Sequence, residues 1–184
     1  VIEVERRIKI HIPPGVENGQ ILRVPGEGEP ASTTSGRYVK SGPRGDLYVV
    51  VYIERHPFFE REGNDLYCEI PVSFLQATLG AEVSIPTLYG KETLRIPPGT
   101  QPGHVFVLKG KGMPDFRNPQ KRGRLYVKVQ VKIPTHLTER QREILQEFAR
   151  VSGEKLNEIK TEKGWFDKIK DSFEQVKRDV FGNH

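Results

Sequence analysis

Two stretches of this chain are near copies of each other, and they decide the fold. Residues 12–28 read IPPGVENGQILRVPGEG, and residues 96–112 read IPPGTQPGHVFVLKGKG, at an offset of 84 residues (96 − 12). The isoleucine, both prolines and all four glycines match in register. Glycines at fixed spacing indicate backbone positions that need a positive φ or a close approach, and paired prolines indicate a strand end. The two copies therefore predict a duplicated, β-rich unit.

A second pair of similar stretches follows, at an offset of 78 residues (125 − 47). Residues 44–51 read RGDLYVVV, and residues 122–129 read RGRLYVKV. The first copy is apolar on both faces of a predicted strand over residues 46–53, with Leu47, Val49, Val51 and Ile53 on one face and Tyr48, Val50 and Tyr52 on the other. The second copy carries Tyr126, Lys128 and Gln130 on that other face. Either the chain's own loops cover the extra apolar face, which we favour, or it is left for a partner.

The remaining pattern extends the β prediction along most of the chain. Alternation of apolar and polar residues predicts a half-buried strand over residues 2–12. Residues 25–44 are rich in Gly, Ser, Thr and Pro, which predicts a surface loop. The second unit is predicted to contain strands at 65–73, 81–86, 91–96, 104–109 and 124–133, with a short helical turn at 74–79.

The C-terminal part changes to helical spacing. Thr138 and Gln141 form a capping-box pattern, which predicts a helix that Gly153 ends. A second amphipathic helix is predicted over residues 165–181, and its apolar stripe follows heptad spacing: Phe166, Ile169, Phe173, Val176 and Val180, with Trp165 beside them. A helix of this length is marginal alone, so the stripe must pack against something. We expect a homodimer, and docking onto the chain's own second unit is the alternative.

Composition excludes several classes of protein. No apolar run approaches the roughly 18 residues of a membrane-spanning helix. The single cysteine, Cys68, alternates with apolar residues, which predicts a buried strand position, no disulfide and a reducing, cytoplasmic location. The five histidines have no metal-ligand spacing and no nucleophile motif accompanies them, so we expect neither an enzyme nor a cofactor.

The charge leaves a second function class open. The chain carries 29 basic and 24 acidic residues, a net charge of +5. A β-sandwich that binds nucleic acid through a basic surface is therefore the alternative function. The only basic clusters are at residues 6–7 and 121–124, so a solvated surface of mixed charge is the favoured interpretation and nucleic acid an unlikely partner.

Taken together, the motifs resemble the C-terminal region of DnaJ, the J-domain co-chaperone family, over essentially all 184 residues. The marks are IPPG at 12–15, GEG at 26–28, GDL at 45–47, HP at 56–57 with Phe59 and Arg61, GNDLY at 63–67, GKG at 110–112 and WFD at 165–167. The resemblance implies two β-sandwich peptide-binding domains and a C-terminal dimerisation segment. It also implies delivery of unfolded or extended polypeptides to a DnaK-type chaperone.

The predicted fold class is thus mostly β: two tandem β-sandwich units of a duplicated fold, followed by C-terminal α-helices. The expected domains are residues 1–55, the remainder of a first peptide-binding sandwich, residues 56–134, the second sandwich, and residues 135–184, the helical dimerisation segment. The counterpart of Asp65 would fall before residue 1 (65 − 84 = −19). We therefore expect the first sandwich to be truncated at its N-terminus, just after the family's zinc module.

Two family features are absent from the sequence. His56-Pro57 continues with Phe58, so the His-Pro-Asp triad of the J-domain is missing, and the Cys-x-x-Cys-x-Gly-x-Gly zinc repeats are missing too. The positions that match the family's groove-lining residues are Ile8, with Ile10 on the same face, and Val49. They are the expected peptide-binding residues, and the Trp165, Phe166, Ile169, Phe173, Val176 and Val180 stripe is the expected dimer contact.

Overall fold

The computed structural model describes residues 7–35 and 38–157. The chain divides into two compact units, Val1–Ile133 and Pro134–His184. The prediction of a mostly β fold that ends in helix is confirmed. In chain order the elements are β1 (Ile21–Val24), β2 (Pro30–Ser35), β3 (Tyr38–Arg44), β4 (Leu47–Val50), β5 (Glu60–Glu62), β6 (Asp65–Ser73), α1 (Phe74–Leu79), β7 (Ala81–Thr87), β8 (Gly90–Ile96), β9 (Val105–Pro114), β10 (Arg122–Lys132) and α2 (Glu139–Val151).

Val1–Ile133 contains two β units, a first with β1–β4 and a second with β5–β10 and α1. The second β unit is built on a four-stranded sheet in the order β5-β6-β10-β9. β6 and β10 are its two inner strands, and β10 is parallel to β6 and antiparallel to β9. A separate hairpin, β7–β8, supplies the other side of the core. The fully buried side chains at the centre of this core are Val72, Ile96, Leu125, Val127 and Val129.

The alternation of β6 explains how the core forms. Leu66, Cys68, Ile70 and Val72 are buried and the residues between them are exposed. Burial raises the pKa of the Cys68 thiol to about 11, because the charged thiolate is disfavoured away from water. Cys68 is therefore a protonated core residue, as its position in the sequence predicts.

The first β unit repeats the β9–β10 pair in the same register. In β1–β4, Leu22 lies opposite Val49; in β9–β10, Phe106 lies opposite Val127. The turns before the two pairs match as well. The amide of Gly19 donates to the Val51 carbonyl at 2.7 Å, and that of Gly103 to the Val129 carbonyl at 2.8 Å. Both glycines have φ of +80°, the left-handed conformation that explains why glycine recurs there.

Two predictions about the first unit are wrong. The predicted strand covered residues 2–12; residues 2–6 lie outside the described residues, and residues 7–12 do not form a strand, although residues 7–11 alternate between exposed and half-buried. A strand requires a ladder partner, and these residues have none in the described part of the chain. Residues 30–35 and 38–44 are not a loop, because β2 and β3 pair there as antiparallel strands. Backbone hydrogen bonds form that ladder, and no alternation of apolar side chains accompanies it.

Arg61 links the first Pro-Pro-Gly turn to the second β unit. Its guanidinium donates from Nη1 to the Val16 carbonyl at 2.7 Å, from Nη2 to the Gly15 carbonyl at 3.0 Å and from Nε to the Gly63 carbonyl at 2.7 Å. A side chain at Gly15 would overlap the Pro114 carbonyl oxygen. The turn therefore sits directly on the end of β9, and Arg61 fixes it there through planar, multidentate contacts.

Candidate functional site

The candidate site lies on the two-stranded sheet β1–β4. Its first face carries half-buried apolar side chains from both strands and from the residue after β4: Leu22, Val24, Leu47, Val49 and Val51. Among the described residues that precede Phe59, Val16 is the only buried hydrophobic side chain. In the part of the chain that the structure describes, this face is thus apolar and incompletely covered.

The three predicted peptide-binding residues come from two segments. Val49 lies in β4 opposite Leu22, and its side chain is half-buried. Ile8 and Ile10 are half-buried too, but they lie in the irregular segment 7–13, which is not a strand of the β1–β4 sheet. All three side chains are half-buried, and they lie on two separate pieces of backbone.

The opposite face of the same sheet is more exposed. Tyr48 is 63% exposed, Val50 44%, Tyr52 77% and Ile21 60%. The expectation that the chain's own loops cover this face is therefore wrong for the part of the chain that the structure describes. In the second unit, side chains of β6 contact the equivalent face of β10, although Lys128 and Gln130 stay exposed there as well. Tyr126 stacks on Tyr67 at 4.9 Å between ring centroids, and Lys128 pairs with Glu69 at 2.8 Å.

Asp46 anchors the start of β4 next to this face. Its carboxylate accepts a hydrogen bond from the Gly26 amide at 3.1 Å and another from Arg23 Nε at 2.6 Å. The hydrogen bond from the Gly26 amide and the one from the Arg23 guanidinium lower the pKa of the Asp46 carboxyl, because both favour its charged form. The Gly26–Glu27–Gly28 turn is thus tied to β4 by a charge-assisted contact.

A second concave surface, which sequence reasoning missed, lies on the second sandwich. It is a groove of about 970 Å³ whose lining includes His56, Phe58, Tyr67, Val105 and Tyr126. At its start, His56 Nδ1 accepts hydrogen bonds from the amides of Phe58 and Phe59, both at 3.1 Å. The alternation of aromatic and charged residues along β6 and β10 was a signal for an amphipathic surface there. The Glu69–Lys128 ion pair also lines this groove.

The predicted dimer stripe, Trp165, Phe166, Ile169, Phe173, Val176 and Val180, lies outside the described residues. The helix before it, α2, begins at the predicted capping box, where Thr138 Oγ1 accepts from the Gln141 amide. One side of α2 presents exposed apolar residues at helical spacing, with Ile144 53%, Phe148 61% and Val151 79% exposed. A partly apolar surface is therefore available on this unit.

The structure also bears on metal and membrane sites. Within residues 7–35 and 38–157, no group of three or more His, Cys, Asp or Glu side chains is arranged to hold a metal ion. No helix in the described part of the chain is long and apolar enough to span a membrane.

Comparison with known proteins places the chain in a family. The family model described as "DnaJ C terminal domain" matches residues 1–134, and the one described as "Chaperone protein DnaJ C-terminal region" matches residues 140–175. A Chaperone protein DnaJ from Acetivibrio thermocellus is 46% identical over 166 residues, which are 90% of this chain and 40% of the relative. One from Brevibacillus choshinensis is 48% identical over 173 residues, 94% of this chain and 44% of the relative.

A third relative, from Ruminiclostridium cellulolyticum and also named Chaperone protein DnaJ, is 47% identical over 168 residues, 91% of this chain and 42% of the relative. The chain spans less than half the length of these curated relatives. The two family models, the duplicated strand pairs and the C-terminal helix agree with the resemblance in the motifs. The chain belongs to the DnaJ family of chaperone proteins, whose C-terminal region it matches.

Proposed function

We propose that this chain binds non-native polypeptides without turnover and without a cofactor, as the client-holding and dimerisation region of a co-chaperone. The observation that carries the proposal is the apolar, incompletely covered first face of the β1–β4 sheet, with Val49 in its centre. The aligned position in the second β unit, Val127, is fully buried in a closed core. A closed core has no room for a ligand, whereas the half-buried first face of the β1–β4 sheet can bind one.

Ile8, Ile10 and Val49 are the proposed contacts for the apolar side chains of an extended client. Backbone pairing with a sheet edge would give affinity that tolerates many sequences, and the shallow apolar surface would select large aliphatic or aromatic residues. Because apolar contacts dominate, binding should depend little on salt. Binding of nucleic acid through basic residues would instead fall steeply as salt increases.

Delivery of the client to a DnaK-type chaperone is the second part of the proposal. The chain lacks the His-Pro-Asp triad, so it should hold clients without stimulating the partner's ATPase by itself. Dimerisation through the stripe that runs from Phe166 to Val180, with the exposed side of α2 adding apolar surface, would place two client sites on one particle. Two tethered sites hold a long unfolded chain more tightly than one.

Substitution of Val49 tests which face of the sheet binds clients. Val49→Asp should weaken binding of a fluorescent apolar peptide at least tenfold, because a carboxylate would have to lose water in an apolar contact. Val107→Asp, which puts the same change on an exposed strand position of the second sandwich, should leave affinity unchanged. Anisotropy titration measures both, and circular dichroism checks that each variant is folded.

A milder pair of variants covers the case in which Val49→Asp does not fold. Val49→Thr keeps the shape and adds only a hydroxyl, and it should weaken the peptide several-fold. Tyr52→Asp changes the opposite face and should have no effect. If Tyr52→Asp abolishes binding while Val49→Thr binds like the parent, the client lies on the exposed tyrosine face and the assignment of Ile8, Ile10 and Val49 is wrong.

A further inference from the structure

His56 makes a contact that only its uncharged side chain can make. Its Nδ1 atom accepts hydrogen bonds from the amides of Phe58 and Phe59, both at 3.1 Å. An imidazole nitrogen accepts through its lone pair, so Nδ1 carries no proton in this arrangement. A proton on Nδ1 would face two N–H donors, and both hydrogen bonds would be lost. We call residues 56–59 the His56 bend.

The use of histidine at this position makes the His56 bend dependent on pH. Side chains that accept from the amides two and three residues further on are usually those of Asp, Asn or Ser. Pro57 follows His56, and its fixed φ favours a turn. Asparagine would accept the same amides whatever the pH, whereas histidine changes its charge between about pH 5 and pH 8. His56 is exposed, so the proton can come directly from water.

The His56 bend leads into an aromatic anchor of the second β unit. Phe59 is buried in the core of that unit, and Phe58 packs against the same core. The centroid of the Phe59 ring lies 5.1 Å from that of His56 and 4.8 Å from that of Phe58. Loss of the two hydrogen bonds would therefore free the backbone directly before this anchor.

The same segment continues into the junction between the two β units. Two residues after Phe59, the Arg61 guanidinium donates to the carbonyls of Gly15 and Val16. Val16 is the one buried hydrophobic side chain among the described residues before Phe59, so the described part of the first β unit has little core of its own. Its attachment depends on a segment that begins at the His56 bend.

Charged groups from three strands line the groove beside His56, and most of them are already bonded. Glu69 pairs with Lys128 at 2.8 Å, and Glu62 is hydrogen-bonded to Tyr67. Arg61 lies opposite Leu66, on the other face of β5 from Glu60. The titratable and charged side chains around His56 are Glu54 and Arg55 before it, Glu60, Arg61 and Glu62 of β5, Tyr67 and Glu69 of β6, and Tyr126 and Lys128 of β10.

Glu60 is the carboxylate available to a charged His56 ring. It is exposed and lies opposite Tyr67 on the outer face of the sheet. Within residues 7–35 and 38–157 it takes part in no ion pair. His56 and Glu60 line the same groove, so an imidazolium that leaves the bend can pair with this carboxylate.

We propose that His56 is an acid-sensitive switch at the junction of the two β units. The neutral ring holds the His56 bend, and the protonated ring releases it and turns towards Glu60. The two hydrogen bonds require the neutral ring, so their contribution to stability is present at higher pH. It is lost as the pH falls through the range in which histidine takes up a proton, ordinarily about pH 6.5. The switch acts on the junction and does not depend on client binding.

Nuclear magnetic resonance of the full, nitrogen-15-labelled chain tests the switch between about pH 8 and pH 5. At the alkaline end, the His56 ring signals should show a proton on Nε2 and none on Nδ1. On acidification, the amide proton signals of Phe58 and Phe59 should move upfield with the same midpoint as the ring. The Nε proton of Arg61 should then exchange with water at least fivefold faster than in His56→Asn at the same pH. In His56→Asn both amide signals should stay in place, because the asparagine oxygen accepts without titrating.

Two further comparisons identify the groups responsible. Glu60→Gln removes the carboxylate that favours the charged ring and should move the midpoint to lower pH, whereas Glu82→Gln, at an exposed position of β7, should not. His104→Asn, at an exposed histidine of the second β unit, should respond to pH like the parent. A proton on Nδ1 of the parent at the alkaline end would overturn the proposal without any variant. So would an equal pH response in the parent and His56→Asn, or an Arg61 exchange rate that is the same in both at acid pH.

Discussion

Replacing Gly123 with alanine is expected to destabilise the second sandwich by about 3 kcal/mol or more, the upper range for overpacking a well-packed core. The new Cβ would overlap the Asn64 carbonyl oxygen and lie 2.7 Å from the Asp65 carboxylate. Neither neighbour can move freely. The Asn64 carbonyl accepts from the Met113 amide at 2.8 Å, and Asp65 Oδ1 accepts from the Arg124 amide at 2.7 Å.

Gly45→Ala is the matched control within the same chain, because Gly45 occupies the equivalent place in the first unit and its Cβ would meet only an ordinary contact. Urea unfolding, followed by far-ultraviolet circular dichroism, measures the free energy of unfolding of both variants. A loss of similar size in the two would mean that the close approach to Asn64 is not what requires glycine at residue 123.

Ending the chain at Asn157 is expected to convert the proposed dimer into a folded monomer. The truncation removes the apolar stripe from Phe166 to Val180 and keeps the hydrogen bonds that end α2, including Glu154 N–H to the Ala149 carbonyl. Each apolar side chain buried in a dimer contact contributes roughly 1.5–3 kcal/mol, so loss of the stripe removes most of the association energy. Analytical ultracentrifugation should report the mass of one chain for the shortened protein and of two chains for the full-length one.

Point variants separate the stripe from the rest of the segment. Phe173→Asp in the full chain should dissociate the dimer, and Lys170→Ala, on the polar side of the predicted helix, should leave it intact. If the full chain sediments as a monomer at tens of micromolar, the stripe packs on its own chain and the dimer proposal fails.

The repeated motif predicted the duplication well, because it is carried by residues with few backbone alternatives. Gly19 and Gly103 have the same φ, and each precedes a strand pair in the same register. The capping residues Thr138 and Gln141 were equally informative, since their side chains satisfy amides that only a helix start leaves free. Local chemistry of this kind can be read from sequence.

The strand prediction for residues 2–12 shows the opposite case. The alternation of apolar and polar residues indicates which side of the backbone faces an apolar surface, and Ile8 and Ile10 are half-buried. It does not record whether a neighbouring strand is present to form the ladder. Tyr48 and Tyr52 are exposed, and their counterparts in the second unit are covered only in part, with Tyr126 half-buried and Gln130 exposed.

The hairpin β2–β3 was missed for a different reason. Its sequence is rich in Gly, Ser and Thr, so no apolar alternation marks it, and the pairing is carried by backbone hydrogen bonds. The alternation along β6 and β10 indicates an amphipathic surface, but the shape of the groove beside His56 and Tyr67 could not be predicted, since the fold brings its lining together from β5, β6, β9 and β10.

The most direct test of the central claim is the binding of an unfolded polypeptide to the full chain without nucleotide. A reduced and alkylated protein that cannot refold is titrated in a calorimeter at low and at high salt. We expect saturable binding that changes little with salt, falls at least tenfold in Val49→Asp and is unchanged in Val107→Asp. Absence of binding, or equal affinity for the parent and a folded Val49→Asp chain, would contradict the account.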